Sequence, residues 1–221
     1  MATRKNGISP LMVALHVGAF VPLLWTVWDF WQGNMALAIN PFQEVTFRTG
    51  KAALILLLLS LAVTPVNSVF GWRQVIPMRK WLGLYAFMYG LLHFAIFIVD
   101  NGLVGGGISA VALYEATFKK RFALVGFAAL MILLPLAVTS NKWAMRQLKK
   151  NWKRLHRLVY LAGVLVIVHF IWLVKSDVRE PLIYGAVLTV LLALRVPAVR
   201  KSIRNLRSRR KNPRTIAVDG A

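Results

Sequence analysis

Long apolar runs, each closed by polar or charged residues, organise this chain. No Lys, Arg, Asp or Glu interrupts Ile8 to Trp28, Ala52 to Trp72, Trp81 to Val99, Phe122 to Asn141 or Leu158 to Val174. A run of about 18 or more such residues matches the hydrocarbon thickness of a bilayer when coiled as a helix. A sixth run, Pro181 to Leu194, is shorter. It reaches Val199 if Arg195 snorkels its guanidinium to the interface. The pattern predicts an all-α integral membrane protein, a six-transmembrane-helix bundle. Transmembrane residues 1–200 would be followed by a basic tail over 201–221.

The first run has the basic start of a secretory signal at Arg4 and Lys5, and Ala36-Leu37-Ala38 resembles a cleavage site. Its apolar part exceeds the roughly 7–15 residues of a signal core, so a retained first span is expected. The loops between runs are short, and no appended soluble domain is expected. Pro22, Pro65 and Pro135 lie within or near span ends, where they kink or stop helices.

Composition agrees with the pattern. Of 221 residues, 58% are hydrophobic and only 16% charged, too few charges for a soluble domain. The absence of cysteine excludes disulfides, iron–sulfur clusters and thiolate-ligated haem.

The net charge of +21 suggests nucleic acid until its distribution is considered. With both termini placed in the cytoplasm, the inner segments hold two basic residues at Arg4 and Lys5 and three at Arg73, Arg79 and Lys80. They hold seven more from Lys142 to Arg157 and nine from Arg195 to Arg214, 21 of the 28 in all. That is the positive-inside pattern of a membrane protein, and no nucleic-acid partner is expected. Six of the seven acids fall outside. The Lys119-Lys120-Arg121 cluster runs against the assignment. Several of the eight tryptophans flank the runs, as an interfacial aromatic belt requires. The tail from Arg195 to Arg214 is read as a clamp on anionic membrane lipid, with a docking site for a cytoplasmic partner as the alternative.

Familiar catalytic motifs are missing. "GLVGGGISA" (102–110) lacks the dinucleotide spacing and the βαβ context. There is no P-loop, no Gly-x-Ser-x-Gly elbow and no evident internal repeat.

Four histidines, His16, His93, His156 and His169, lie in or at the edge of apolar runs. Ionisable groups in a membrane mark functional sites by default. His93 lies seven residues before Asp100, and His169 six before Lys175. At about 1.5 Å per residue both sit roughly 10 Å inside the outer boundary. Two imidazoles at one depth on two helices can hold one b-type haem between them, as its axial iron ligands. His156 is thirteen residues before His169, about 20 Å further in on one continuous helix. Three roles stay open for it: ligand to a second haem, bond to a haem propionate, or contact to a quinone headgroup. Arg79 and Lys80, at its depth on the third span, suit propionates or a flavin phosphate. His16 is read as structural or pocket-lining.

Residues 151–175, "NWKRLHRLVYLAGVLVIVHFIWLVK", resemble the fifth helix of ferric-reductase-like transmembrane domains, which also carry two haem histidines thirteen residues apart. Together with "RKWLGLYAFMYGLLHF", "LHRLVYL", "REPLIYGAVLTVLLALR" and "LHVGAFVPLLW", they resemble the MsrQ family of bacterial haem-binding membrane subunits, from about Leu15 to Arg195. The resemblance implies His93, His156 and His169 as haem-site histidines. It implies location in the bacterial inner membrane and electrons drawn from the quinone pool, with bound FMN as a further expectation. It also implies delivery to a periplasmic MsrP-like molybdopterin reductase, which repairs methionine sulfoxide in oxidised proteins. The wider superfamily has a second histidine on the third helix, and this chain has none.

The expected role is therefore an electron-transfer subunit, with the sulfoxide chemistry on the partner. A stand-alone haem reductase of ferric iron or oxygen and a small transporter with buried histidines are the alternatives.

Overall fold

The computed structural model describes residues 9–34, 40–104, 109–174, 177–199 and 201–202. Arg4, Lys5, the Ala36-Leu37-Ala38 triplet, the glycines of 105–107, Lys175 and the tail beyond Ser202 lie outside them. Every regular element among the described residues is helical. The order is α1 (Pro10–Trp31), α2 (Pro41–Phe70), a 3-10 turn (Arg73–Val75), α3 (Met78–Val104), the short α4 (Ala110–Tyr114) continued by a π-turn (Glu115–Lys119), α5 (Arg121–Val138), α6 (Lys142–Leu155), α7 (Leu158–Leu173) and α8 (Arg179–Ala193).

Each of the six apolar runs falls on a helix. Four segments are long and apolar enough to cross a membrane: α1, α2, residues 73–102 around α3, and α5. A fifth forms if α6 and α7, bent by 48° at their junction, count together. α8, with 15 residues, is shorter than these. Large apolar side chains such as Leu24, Leu59, Leu91, Leu134 and Val164 face outward, the surface that lipid covers. The chain is a multi-pass membrane protein.

Three expectations about boundaries are corrected. α2 begins at Pro41, eleven residues before the apolar run. Asn40 caps it by accepting from the Gln43 N–H at 3.2 Å, and Pro41 fills the first position, where no donor is needed. The charges that hid this start are paired off. Arg48 bridges Glu44 (2.7 Å) and Asp29 of α1 (2.5 Å), and Lys51 meets Glu180 of α8 (2.5 Å).

The run from Trp152 to Lys175 is not one helix. α6 ends at Leu155 and a turn at His156 and Arg157 intervenes before α7. Nor does Arg195 snorkel outward. α8 ends at Ala193, and the guanidinium folds inward onto the Tyr160 hydroxyl (2.7 Å) and the Leu61 carbonyl (2.6 Å).

α2 lies along α3 and α5 along α7, with α3 against α5 and α8 against both α2 and α7. One buried cluster joins Leu15 and Ala19 of α1 to Leu56, Leu57, Ala86 and Leu133. A second joins Leu54, Leu58 and Leu61 of α2 to Ile167, Phe170 and Leu188. Tyr89 is fully buried and fastens α1. Its hydroxyl donates to the Ala19 carbonyl (2.7 Å) and accepts from the Leu23 N–H (3.2 Å), the two groups that close one turn of a regular helix. A side chain inserted into the ladder here coincides with Pro22, a second local cause of bending.

The structure also reveals a repeat that the sequence reading missed. Gly50-Lys51-Ala52-Ala53-Leu54 of α2 recurs as Gly126-Phe127-Ala128-Ala129-Leu130 of α5. Leu61-Ala62-Val63-Thr64 recurs as Leu136-Ala137-Val138-Thr139. Each of these helices then pairs with the histidine-bearing helix that follows, α2 with α3 and α5 with α7.

Candidate haem site between two histidines

α3 carries His93 and α7 carries His169 to the same end of the bundle. Their ring centres are 6.0 Å apart and their planes stand at 85°. Each ring is tied down from behind. His93 Nδ1 lies 2.7 Å from the Thr46 carbonyl of α2, and His169 Nδ1 lies 2.7 Å from the Phe122 carbonyl of α5. A carbonyl can only accept, so Nδ1 is the protonated nitrogen in both rings. Each neutral ring therefore keeps its Nε2 lone pair available for a metal. The two bonds span the same 47 residues of sequence, as the repeat requires.

This donor set suits haem. The 6.0 Å between ring centres leaves room for one metal centre between the two imidazoles. Among the described residues no three His, Cys, Asp or Glu side chains converge on one point. Two nitrogens are too few for a bare ion, and they are the number needed beside a porphyrin's own four. An Nδ1–H donated to a carbonyl is the usual outer-shell support of a metal-bound histidine.

His156 does not join this pair. It sits at the break between α6 and α7. Its Nε2 is 3.1 Å from the Thr139 hydroxyl, and its ring stacks on Trp152 with centres 4.0 Å apart. Trp152 in turn donates to the Thr139 carbonyl at 2.9 Å. Arg79 is the cation near enough to act on His156 through space. His156 therefore has an arginine, at the start of α3, within electrostatic reach.

Lys80 turns the other way, with its ammonium over the Trp81 ring at 5.3 Å. His16 lies in the first third of α1 and binds the Tyr85 hydroxyl at 2.8 Å. Trp81 meets the His16 ring edge-on at 4.9 Å. Sequence reasoning placed His16, His93 and His169 on their helices, whereas His156 lies in the turn between α6 and α7. It missed Thr46, Gly50, Phe122 and Gly126 behind the pair; the recurring Gly-x-Ala-Ala-Leu was the signal for the two glycines.

The Lys119-Lys120-Arg121 cluster, which ran against the charge pattern, is partly engaged. Lys119 pairs with Glu115 at 2.5 Å, and Lys120 donates to Asn101 at 2.8 Å.

Comparison with known proteins identifies the family of the chain. Residues 49–167 match the family described as ferric reductase like transmembrane component. The protein-methionine-sulfoxide reductase heme-binding subunit MsrQ of Xanthomonas axonopodis pv. citri is 42% identical over 217 residues, covering 96% of this chain and 97% of the relative. The MsrQ subunit of Xanthomonas euvesicatoria pv. vesicatoria is 41% identical with the same coverage. That of Bordetella pertussis is 39% identical over 198 residues, 85% of this chain and 93% of the relative. No solved structure matches.

Proposed function

The chain belongs to the MsrQ family of heme-binding subunits within the ferric-reductase-like transmembrane proteins, and on that premise we propose that it is a b-type cytochrome carrying electrons from the quinone pool across the bacterial inner membrane to a periplasmic, MsrP-like methionine sulfoxide reductase. The observation that carries this reading is the His93–His169 pair, 6.0 Å between ring centres, with both Nδ1 atoms committed to backbone carbonyls. Bound there, a haem supplies one-electron chemistry between a two-electron quinol and a two-electron sulfoxide reaction.

The protein's own residues do the rest. His93 and His169 hold the iron from opposite helices. Phe47 against Phe170, with ring centres 5.8 Å apart, lines the same end of the bundle with apolar surface. Apolar walls exclude water and favour the less charged state of a buried group. At the opposite end, Arg79 and His156 supply donors suited to an anionic group, a propionate or the phosphate of FMN. Both termini, with the basic α6, lie on the cytoplasmic side in this reading, and six helices span the bilayer. Lys149, Lys150, Lys153, Arg154 and Arg157 then form a surface that meets anionic lipid.

The test uses the purified, haem-loaded protein in proteoliposomes. Quinol should reduce the haem, read from its absorbance. Adding the periplasmic reductase and a methionine sulfoxide substrate should reoxidise it. If the reductase leaves the haem reduced while ferric chelates oxidise it quickly, the protein is a metal reductase instead.

A further inference from the structure

The two histidines share one structural device, and a glycine is its hinge. A Cβ built on Gly50 would lie 2.8 Å from His93 Nδ1 and 3.0 Å from its Cε1. A Cβ on Gly126 would lie 2.7 Å from His169 Nδ1 and 2.8 Å from its Cε1. Carbon atoms do not approach so closely without something moving. In both cases the contact is with the ring atoms that make the carbonyl bond.

Neither glycine is required by its own backbone. Both lie inside helices and neither has the left-handed φ that glycine alone tolerates; among the described glycines only Gly33 and Gly71 do. A helix-interior glycine is less favourable than alanine there, because it loses more backbone freedom on folding. The geometry explains the choice. The acceptor carbonyls, Thr46 and Phe122, each lie four residues before a glycine. In a helix that carbonyl already takes the glycine's own N–H. Here the imidazole shares it by resting where a Cβ of that glycine would stand. Other helical glycines are different. Gly18 has nothing within 4 Å of a built Cβ, and for Gly90 the nearest atom is a Leu130 methyl at 3.6 Å.

We propose that Gly50 and Gly126 are positioning residues for the axial histidines: the missing side chain on each lets an imidazole rest on the neighbouring helix, donate its Nδ1–H to the carbonyl one turn back, and present Nε2 to haem iron at a set angle. This rests on the reading of His93 and His169 as the ligands. Loss of the outer hydrogen bond lowers the basicity of the ring and frees its rotation. Such losses typically weaken metal holding by about 10–100-fold.

The experiment uses the full chain in membranes, loaded with haem. Gly50→Ala and Gly126→Ala are compared with Gly18→Ala and Gly90→Ala. Two readouts are taken: haem lost to an excess of apomyoglobin, and carbon monoxide binding to the reduced protein. A ligand pushed off the iron opens a coordination position that carbon monoxide fills. Gly50→Ala and Gly126→Ala should lose haem about 10–100-fold more readily and should bind carbon monoxide. The two controls should behave as the parent.

If both glycine variants keep inert, six-coordinate haem while His93→Ala and His169→Ala lose it, the positioning role is wrong and the ligand assignment stands. If the histidine variants themselves keep full six-coordinate haem, the ligand assignment fails and takes this proposal with it. Should Gly126→Ala fail to accumulate, the pair Gly126→Ala with His169→Ala decides. Removing the ring removes the clash, so the double variant should accumulate as His169→Ala does. Continued loss would show that Gly126 serves helix packing and not the imidazole.

Discussion

Arg195, just past the end of α8, donates to the carbonyl of Leu61 in the middle of α2 at 2.6 Å. The carbonyl is available because Pro65, four residues on, has no N–H to offer it. A proline in one helix thus creates the acceptor that an arginine from the last helix fills. The same guanidinium reaches the Tyr160 hydroxyl at 2.7 Å and lies over that ring at 5.2 Å, tying α2, α7 and α8 together.

This relationship predicts a coupling. Arg195→Met should destabilise the bundle by about 2 kcal/mol, the scale of a charge-assisted hydrogen bond left unmade. Pro65→Ala restores the N–H that Leu61 lacks. In that background Arg195→Met should cost less, by about 1 kcal/mol. A double-mutant cycle on reversible denaturation in detergent measures it, and strictly additive costs would contradict the account.

The paired imidazoles predict haem loss. His93→Ala and His169→Ala should each abolish six-coordinate haem while the protein still inserts. The Soret absorbance per inserted protein should drop to near zero, or to a five-coordinate spectrum. A parent spectrum in both variants would exclude the pairing.

His156 should behave otherwise, because Thr139 and Trp152 hold it away from the pair. His156→Ala should keep the haem between His93 and His169. It should slow quinol-driven reduction, on the order of tenfold if one hydrogen bond to the donor or to an anionic group is lost. Stopped-flow absorbance after quinol addition provides the rate. Loss of the His93–His169 haem in this variant would show that His156 helps to hold it.

Topology is checked by fusion. With both termini cytoplasmic, a reporter active only in the periplasm should be silent at the C-terminus and active in the loop between α3 and α4. The reverse pattern would invert the direction proposed for electron flow.

Nicotinamide offers a last check. The chain carries no dinucleotide fingerprint. NADH or NADPH alone should leave the haem oxidised over minutes, and adding a flavin reductase should not be needed when quinol is supplied. Direct reduction by NADPH would point to a donor site that this reading lacks.

Much of the architecture was legible along the chain. The bilayer demands about 20 apolar residues per helix, so the runs beginning at Ile8, Ala52, Trp81, Phe122 and Leu158 mark helices whatever their neighbours. The rise of a helix is constant, so depth could be counted, and His93 and His169 were paired by counting alone. What counting could not supply was direction around the helix axis, or which backbone stood behind each ring. The start of α2 at Pro41 was hidden because Arg48 and Lys51 read as boundary charges until Asp29, Glu44 and Glu180, two of them on other helices, are seen to pair with them. The break at His156 was hidden because Thr139, just past the end of α5, meets both the imidazole and the Trp152 indole there. Gly50 and Gly126 carry no chemistry of their own. Their meaning exists only where a ring from another helix, 43 residues further along the chain in each case, occupies the space a side chain would need. Hydrophobic thickness and helical rise act along one strand of sequence, and so a sequence determines them. Contacts between helices depend on how each is rotated against its neighbour, and only the folded bundle decides that.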